Sequence, residues 1–347
     1  MDSIGIDVHK NESQICILTE DGEVIETRIQ TRRERFADVL GKREKARVLI
    51  EANTEAEWVA RCLEGLGFEV VIGHPGYAAM YSTRGRNVKT DRRDAEALAH
   101  ACRLGNYRPV HRVSEGQRKV RAELVVREAL VRTRSRYISV VRSLLRGDGY
   151  RVPSGAAKSF DERVAKLGLT GPMQEVLEPL TNMFPKLNEE IEQRDKALAV
   201  RAKEDPVVRR LCTVPGVGPV TAVAFKATLD NTQRFGRAHE VESYLGLVPR
   251  EYSSGDNQRR GSISKAGNSR MRSLLVEAAW GILRSEKPPT APLRAWAERI
   301  AVRRGRCIAA VALARKLAGI LFAIWRDGTE FQPQPFRSGK QPVAKAA

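Results

Sequence analysis

Cysteine is scarce in this 347-residue chain, and its distribution excludes two kinds of stabilising site. The five cysteines are odd in number and never form a Cys-x-x-Cys pair. Because disulfide frameworks and structural zinc sites need paired cysteines, we expect reduced thiols and neither kind of site. The chain is long enough for two or three domains and a sizeable core, so it needs no such support.

Long apolar runs and a signal peptide are also missing from the sequence. We find no run that approaches the roughly 20 apolar residues of a membrane-spanning helix. The second phosphate loop that ATPases of the actin and sugar-kinase superfamily need is absent as well. The sequence therefore predicts a cytoplasmic protein with no membrane partner and no ATPase activity.

Acidic residues are too few to balance the basic ones. Sixty Lys and Arg face 42 Asp and Glu, which gives a formal net charge of +18. Because a surplus of this size on a soluble protein favours a polyanionic partner, we expect the chain to bind nucleic acid.

The first hundred residues alternate between strand and helix patterns. Apolar runs at 3–7, 14–19 and 23–30 predict an antiparallel meander, and helical patterns at 33–42 and 54–66 alternate with strands at 47–51 and 69–72. This βββαβαβα order is typical of an RNase H-like α/β fold, in which helices cover both faces of a mixed sheet. In that layout the fourth strand pairs beside the first.

Four acidic residues lie where such a fold would bring carboxylates together: Asp7, Glu51, Asp91 and Asp94. Asp91 and Asp94 share one helix face, and oxygen ligands suit Mg²⁺ or Mn²⁺, which act in phosphoryl transfer. An alternative is that Asp91 caps its helix and Asp94 is a solvated acid of the first turn.

The middle of the chain is helical and basic. Residues 112–151 contain eleven Arg or Lys and four Asp or Glu, with apolar residues at helical spacing. This pattern predicts a long amphipathic helix that binds phosphates or, alternatively, a solvated coiled-coil arm. Residues 172–203 form a second helical pattern of mixed charge, which indicates a packing or dimerisation helix.

The last third combines a glycine-rich turn with a cluster of serines and cations. Gly216 and Gly218 lie between two apolar helical runs in VPGVGPVTA, which resembles a helix-hairpin-helix that offers backbone N–H groups to phosphate, or else is a plain helical turn. Ser253 and Ser254 follow nearby, and a helix runs through Trp280. The cations expected to hold phosphates around these serines are Arg250, Arg259, Arg260, Lys265, Arg270 and Arg272.

Six motifs in this order resemble those of a known family: GIDVHK, IEANT, NVKTDRRDAEALA, VPGVGPVTA, YLGLVPREYSSG and SKAGNSRMR. They are similar to the DEDD-type insertion-sequence transposases of insertion sequence family 110, to which Piv-type DNA invertases are related. The resemblance covers residues 3–326. It implies a RuvC-like N-terminal domain whose acids, Asp7, Glu51, Asp91 and Asp94, bind Mg²⁺, and a catalytic serine at Ser254.

The resemblance also implies a reaction and its partners. Ser254 would attack a phosphodiester, form a covalent 5′-phosphoserine link and release a 3′-hydroxyl that attacks a partner strand. The partners would be DNA at the element ends and the target site, a structured noncoding guide RNA, and further copies of the chain in a dimer or tetramer. The basic segments 112–151 and 299–316 would contact the RNA.

The predicted domain organisation follows from the patterns and the resemblance together. We expect a RuvC-like catalytic domain at 1–110, a basic helical or coiled-coil segment at 111–204, a mostly helical transposase domain at 205–330 and a disordered tail at 331–347. Two other functions stay open: a RuvC-like junction resolvase or nuclease that uses water as nucleophile, and a non-catalytic nucleic-acid-binding protein. Ser253 is the alternative nucleophile.

Overall fold

Short apolar runs build a five-stranded mixed sheet in the N-terminal part of the chain. The computed structural model describes residues 1–82, 90–252 and 259–333. Two units are separated within it, Met1–Val113 and Ser114–Ala347. The strands of the first unit are β1 (Ser3–Val8), β2 (Glu12–Leu18), β3 (Val24–Gln30), β4 (Arg47–Glu51) and β5 (Glu69–Gly73).

The strand order is β3-β2-β1-β4-β5, with β1 antiparallel to β2 and parallel to β4. The predicted strands and the pairing of the fourth beside the first are therefore confirmed. Ile6 is paired with Ile50 in this register. Asp7 and Glu51 are consequently the next residues on two neighbouring parallel strands, at the same end of the sheet.

Helices supply the remaining layers of the first unit: α1 (Arg33–Leu40), α2 (Ala56–Gly65) and α3 (Asp91–Leu104). Apolar residues of α1 and α2, such as Phe36 and Leu63, share a core with Ile4 and Ile6 of β1. Leu98 of α3 packs with Leu49 of β4 in a separate cluster. Because strand side chains alternate between faces, the even-numbered β1 residues face α1 and α2, and Asp7 lies on the face that α3 covers.

The second unit is mainly helical. The predicted long middle helix is confirmed as α4. The predicted helical stretch over 172–203 is confirmed as well, but as two helices that meet at Asn182. Pro185 explains the break, since a proline ring clashes with the carbonyl four residues earlier and cannot donate to it. The first helices of this unit are α4 (Glu115–Gly147), α5 (Phe160–Ala165), α6 (Pro172–Thr181) and α7 (Met183–Glu204).

The last third contains a two-stranded hairpin that the sequence patterns did not predict. Its strands flank the segment 253–258, which lies outside the described residues. The elements of this part are α8 (Pro206–Leu211), α9 (Pro219–Leu229), α10 (Ala238–Tyr244), β6 (Pro249–Glu251), β7 (Arg260–Ile263), α11 (Ser269–Arg284), α12 (Ala291–Arg304) and α13 (Arg306–Asp327). The predicted disordered tail falls on 331–347, of which 334–347 lie outside the described residues.

One long apolar helix corrects the expectation about membrane spans. The 22 residues of α13 are long and apolar enough to cross a membrane by length and composition. Half of this stretch is buried in the structure, and Leu317 and Leu321 belong to the same core as Phe225. A core helix of a soluble protein passes the same test, so α13 is weak evidence for a span.

Candidate functional site

Asp7 is the buried centre of the acidic cluster in the first unit. It is 6% exposed, and its Oδ2 lies 3.2 Å from Nε2 of His9. The same imidazole nitrogen lies 3.4 Å from Oδ1 of Asp91. One ligand atom from each of these three residues lies within 4.8 Å of the other two.

The start of α3 brings two acids to this point. Thr90 is the N-cap residue, and its hydroxyl accepts a hydrogen bond of 3.3 Å from the backbone N–H of Arg93. The alternative in which Asp91 caps the helix is therefore wrong. Asp91 is the first helical residue and is half exposed, whereas Asp94, one turn later, is 4% exposed. Acids in the first helical turn are stabilised by the helix dipole, which favours both at this position.

A glycine in β1 allows α3 to approach the sheet closely. A methyl group at Gly5 would lie 2.2 Å from the carbonyl oxygen of Ala95 and 2.2 Å from the nitrogen of Ala99. Both are backbone atoms of α3, so a side chain here would push the helix away from β1. The missing side chain at Gly5 thus sets how near Asp94 comes to Asp7.

Glu51 is held by a tyrosine that the sequence analysis did not identify. The Tyr81 hydroxyl donates a hydrogen bond to Oε2 of Glu51. Burial, this hydrogen bond and the charges of Glu51, Asp94 and Asp7 raise the pKa of Tyr81 well above its ordinary value. The hydroxyl therefore keeps its proton at neutral pH and remains a donor to the carboxylate.

Asn53 connects the ends of β1 and β4. Its Nδ2 donates to the carbonyl oxygen of Val8 at 2.7 Å, and its Oδ1 accepts from the backbone N–H groups of Glu55 and Ala56 at 2.9 Å. The asparagine two residues after Glu51 thus fixes the end of β1 and the start of α2 together. In the sequence, the closeness of Asn53 to Glu51 was the one indication that it helps to hold the site.

Charge accumulates around Asp7. Burial is the largest cause that raises the pKa of Asp7 to about 6; the charge of His9 opposes the shift, and the charges of Asp94, Asp91 and Glu51 add to it. All four predicted acids therefore interact electrostatically, although the tight group of ligand atoms comprises only Asp7, His9 and Asp91. A bound cation would stabilise negative charge gathered around Asp7, and oxygen donors suit a hard divalent ion. These residues fit a divalent metal.

The predicted nucleophile Ser254 and its neighbour Ser253 lie outside the described residues. The structure describes the residues that flank this segment, where the backbone N–H of Tyr252 donates to the carbonyl oxygen of Arg259 at 2.9 Å. Arg250 of β6 and Arg259 are exposed, and Arg260 belongs to β7.

Two other cations that the sequence predicts to contact phosphate form ion pairs or hydrogen bonds within the second unit. Arg270 forms an ion pair with Glu128 of α4. One nitrogen of Arg272 donates to the carbonyl oxygens of Gly267 at 2.7 Å and Leu245 at 3.1 Å. Lys265 is exposed, with a positive φ of 56°. The guanidinium groups of Arg270 and Arg272 therefore already have partners, and their role as phosphate contacts stays a prediction.

Arg272 holds two chain segments that cross with almost no space between them. A methyl group at Gly267 would lie 2.0 Å from the carbonyl oxygen of Tyr244. A methyl group at Gly246 would lie 2.6 Å from the nitrogen of Ala266, and its φ is +69°. The YLGLVP and SKAGNSR motifs thus meet at two glycines directly beside the base of the hairpin.

The glycine-rich turn lies between α8 and α9, at the place that the pattern predicts. Gly216 has a φ of +79°, which favours glycine, and Gly218 is the exposed N-cap residue of α9. A cleft of about 500 Å³ beside the turn is also lined by Lys287 and Ser285. Phosphate binding at this turn stays a prediction.

Both units of the chain match families of known proteins. A DEDD-type family model described as "Transposase" matches residues 4–148, and one described as "Transposase IS116/IS110/IS902 family" matches residues 208–293. The transposase for insertion sequence element IS1111A of Coxiella burnetii is 32% identical over 326 residues, which cover 92% of this chain and 88% of the relative. The transposase for insertion sequence element IS1328 of Yersinia enterocolitica is 29% identical over 336 residues, which cover 94% of this chain and 98% of the relative.

A DEDD nuclease-type domain implies the use of divalent metal, which agrees with the acidic cluster around Asp7. The matches span nearly the whole chain and most of each relative. The chain therefore belongs to the IS116/IS110/IS902 family of insertion-sequence transposases, enzymes that cleave and rejoin DNA.

Proposed function

We propose that this transposase cleaves and exchanges DNA strands through a covalent 5′-phosphoserine intermediate at Ser254, with Mg²⁺ held by Asp7, Glu51, Asp91 and Asp94. The observation that carries the proposal is the grouping of Asp7, His9 and Asp91 ligand atoms within 4.8 Å, with Asp94 and Glu51 acting on Asp7 by charge. A site with this donor set is suited to phosphodiester chemistry.

The proposed reaction conserves the energy of the phosphodiester bond. The Ser254 oxygen bonds to phosphorus, the bond from phosphorus to the 3′-oxygen breaks, and that oxygen leaves as a hydroxyl after it takes a proton. A 3′-hydroxyl of the partner strand then attacks the phosphoserine, which restores the serine. Because each step exchanges one phosphate ester for another, no ATP is needed.

The residues of the first unit would prepare the metal site before DNA arrives. A divalent ion, when bound there, would stabilise charge on the phosphate and on the leaving oxygen. Tyr81 orients the Glu51 carboxylate through its hydroxyl, and Asn53 fixes the strand ends that carry Asp7 and Glu51. Burial of Asp7 and Asp94 limits the freedom of both carboxylates, so little reorganisation is needed when the ion binds.

A covalent adduct tests the nucleophile. DNA labelled at its 3′ ends is incubated with the protein and Mg²⁺, and denaturing electrophoresis detects the labelled strand attached to protein. We expect an adduct with the parent and with Ser253→Ala, and none with Ser254→Ala. Multiple-turnover cleavage by Ser254→Ala without any adduct would support the other candidate, a RuvC-like nuclease that uses water.

Calorimetry tests the metal site separately. We expect the Asp91→Asn, Asp94→Asn double variant to lose Mg²⁺ binding that the parent shows. A matched control removes two acids of the same unit that lie outside the cluster, Asp2→Asn before the start of β1 and Asp38→Asn on α1, and should bind as the parent does. Equal binding by both double variants would remove the metal argument and favour a non-catalytic nucleic-acid-binding protein.

We further propose that a structured RNA from the flank of the element guides the reaction and that the chain works as a dimer or tetramer. The basic segments 112–151 and 299–316 support an RNA contact, since base pairing would choose the sequence and leave the protein to bind shape and phosphates. Sequencing RNA that co-purifies with the protein tests the guide, and light scattering measures the subunit count. Co-purified RNA that does not map to the flank would contradict the guide.

A further inference from the structure

His9 has a fixed backbone beside the acidic cluster. Its N–H donates to the carbonyl oxygen of Glu12 at 3.1 Å, and its carbonyl oxygen accepts from the Thr31 hydroxyl at 2.7 Å. His9 directly follows Val8, the last residue of β1, and lies two residues after Asp7. Continued strand alternation places both side chains on the face of the sheet that α3 covers. The two backbone hydrogen bonds therefore hold the segment that carries the imidazole beside the cluster.

The imidazole nitrogen lies between two carboxylates. Nε2 is 3.2 Å from Oδ2 of Asp7 and 3.4 Å from Oδ1 of Asp91. Ligands of one first-row ion at about 2.0 to 2.2 Å are separated by at most about 4.4 Å. The separations of up to 4.8 Å among these three residues therefore need to shrink only slightly to enclose an ion.

The side chains that must move are the ones with room to do so. His9 and Asp91 are 55% and 53% exposed, whereas Asp7 is 9% exposed in its side chain. A buried Asp7 provides a fixed ligand, and two solvent-facing side chains can adjust around an ion that enters from water. The solvent-accessible side of the cluster is thus the side on which His9 and its Nε2 lie.

We propose that His9 binds one of the divalent ions directly through Nε2, together with Asp7 and Asp91, so that this position has a mixed nitrogen and oxygen donor set. The proposal rests on the metal site of the proposed function. An imidazole ligand suits Mn²⁺ and other transition ions better than Mg²⁺, which prefers oxygen. This position should therefore prefer Mn²⁺, while the site as a whole still accepts Mg²⁺.

Pulsed electron paramagnetic resonance of Mn²⁺ bound to the full chain tests the ligand directly. We expect nitrogen modulation from a coordinated imidazole, with a frequency that changes when the five histidines are labelled with ¹⁵N. His9→Ala should abolish the modulation and weaken Mn²⁺ binding by about tenfold or more, as the loss of even an outer partner of a metal site does. Its Mg²⁺ affinity should fall by less.

His100→Ala is the matched control, because His100 lies on α3 beside Glu96 and outside the cluster. It should keep both the modulation and the Mn²⁺ affinity of the parent. Mn²⁺ bound to the parent without nitrogen modulation, or modulation that persists in His9→Ala, would overturn the inference.

Asp7→Asn separates this failure from that of the proposed function. If this variant loses Mn²⁺ while the parent shows no nitrogen modulation, the carboxylate site stands and the role of His9 fails. If Asp7→Asn binds Mn²⁺ as tightly as the parent does, the proposed metal site fails, and the inference about His9 fails with it.

Discussion

At the scale of single residues, the buried Asp7 carboxylate is the most consequential group of the first unit. Burial and three neighbouring acids raise its pKa to about 6, so its ionised form is costly in the folded protein unless a cation is present. A site that is destabilised when empty gains more from the ion that it binds, which ties metal binding to folding.

The pH dependence of stability follows from this raised pKa. In metal-free protein the protonated Asp7 favours folding fully below pH of about 4, and that contribution is lost as the pH rises through about 6. We expect Asp7→Asn to be more stable than the parent by about 2 to 3 kcal/mol at pH 8, because an amide stays neutral. The difference should vanish near pH 4.

Urea unfolding with a chelator measures this difference across the pH range. Mg²⁺ should then stabilise the parent and leave Asp7→Asn unchanged. A stability gap between the two proteins that is the same at pH 4 and pH 8 would show that Asp7 does not titrate in this range.

At the scale of elements, glycines decide where helices and strands approach each other. Gly5 lets α3 lie against β1, and Gly267 lets the segment before α11 cross the segment after α10. In both places the atoms that a side chain would meet belong to the backbone. Unlike a side chain, the backbone cannot relieve such a clash by changing its rotamer. The acidic cluster therefore depends on close packing at Gly5, and the hairpin formed by β6 and β7 depends on close packing at Gly267.

Gly5→Ala should therefore destabilise the protein and weaken its metal binding. The new methyl group would lie 2.2 Å from two backbone atoms of α3. Such overpacking lowers the free energy of unfolding by about 1 to 3 kcal/mol. Movement of α3 would carry Asp91 and Asp94 away from Asp7. Urea unfolding and Mn²⁺ calorimetry measure the two effects.

Gly65→Ala is the control, since no atom lies within 4 Å of the added methyl group at the end of α2. It should be neutral or slightly stabilising, as alanine favours helix over glycine. Parent-like metal affinity in a destabilised Gly5→Ala would mean that the spacing of α3 does not control the site.

Arg272 is expected to stabilise the base of the hairpin whether or not nucleic acid is bound. It donates to the carbonyl oxygens of Leu245 and Gly267, which Arg272→Ala would leave without this donor. We expect thermal unfolding without DNA to reveal a loss of about 1 to 3 kcal/mol. Arg259→Ala, which removes an exposed cation, should change stability by less than about 0.5 kcal/mol. Equal stability of both variants would favour a phosphate-binding role for Arg272.

At the scale of the whole molecule, the positive charge is divided unequally between the two units. Met1–Val113 contains 18 Lys or Arg and 18 Asp or Glu, so it carries no net charge. Ser114–Ala347 contains 42 and 24, so it carries the entire excess of +18. We therefore expect the second unit to attract nucleic acid, and the acidic cluster lies in a unit without excess charge.

Salt dependence of DNA binding tests this division. The logarithm of affinity for a fluorescent duplex should fall linearly with the logarithm of salt concentration between about 50 and 200 mM. We expect Arg303→Gln with Arg304→Gln to reduce the slope by up to about 2, at about 0.9 for each lost phosphate contact. Lys42→Gln with Lys45→Gln, in the first unit, should leave the slope unchanged. An equal reduction by both pairs would contradict the division.

Much of the first unit could be predicted from sequence because its signals are local. The short apolar runs of β1 and β4 and the turn signals between strands are properties of neighbouring residues. The break before Pro185 was missed because the apolar pattern continues through it. The hairpin around 253–258 was missed because its short, polar strands have no apolar alternation to mark them.

The contacts of the site itself are non-local, and this limited the sequence analysis. Tyr81 reaches Glu51 across 30 residues, and Asn53 reaches Val8 across 45. No periodic pattern links residues so far apart. Arg272 illustrates the same limit. Its position in an Arg-rich segment predicts a phosphate contact, but the structure shows that it donates to two backbone carbonyl oxygens.

Residue types and short-range spacing were enough to predict the strands of the first unit, the pairing of the fourth beside the first, the four candidate acids, the family resemblance and the charge surplus. Only the folded chain reveals that His9 lies between Asp7 and Asp91, that Thr90 rather than Asp91 caps α3, and that Tyr81 donates to Glu51. Those outcomes depend on the register of β1 against β4 and on the approach of α3 at Gly5. Burial and the neighbouring carboxylates, which together raise the pKa of Asp7, arise only when these distant segments meet.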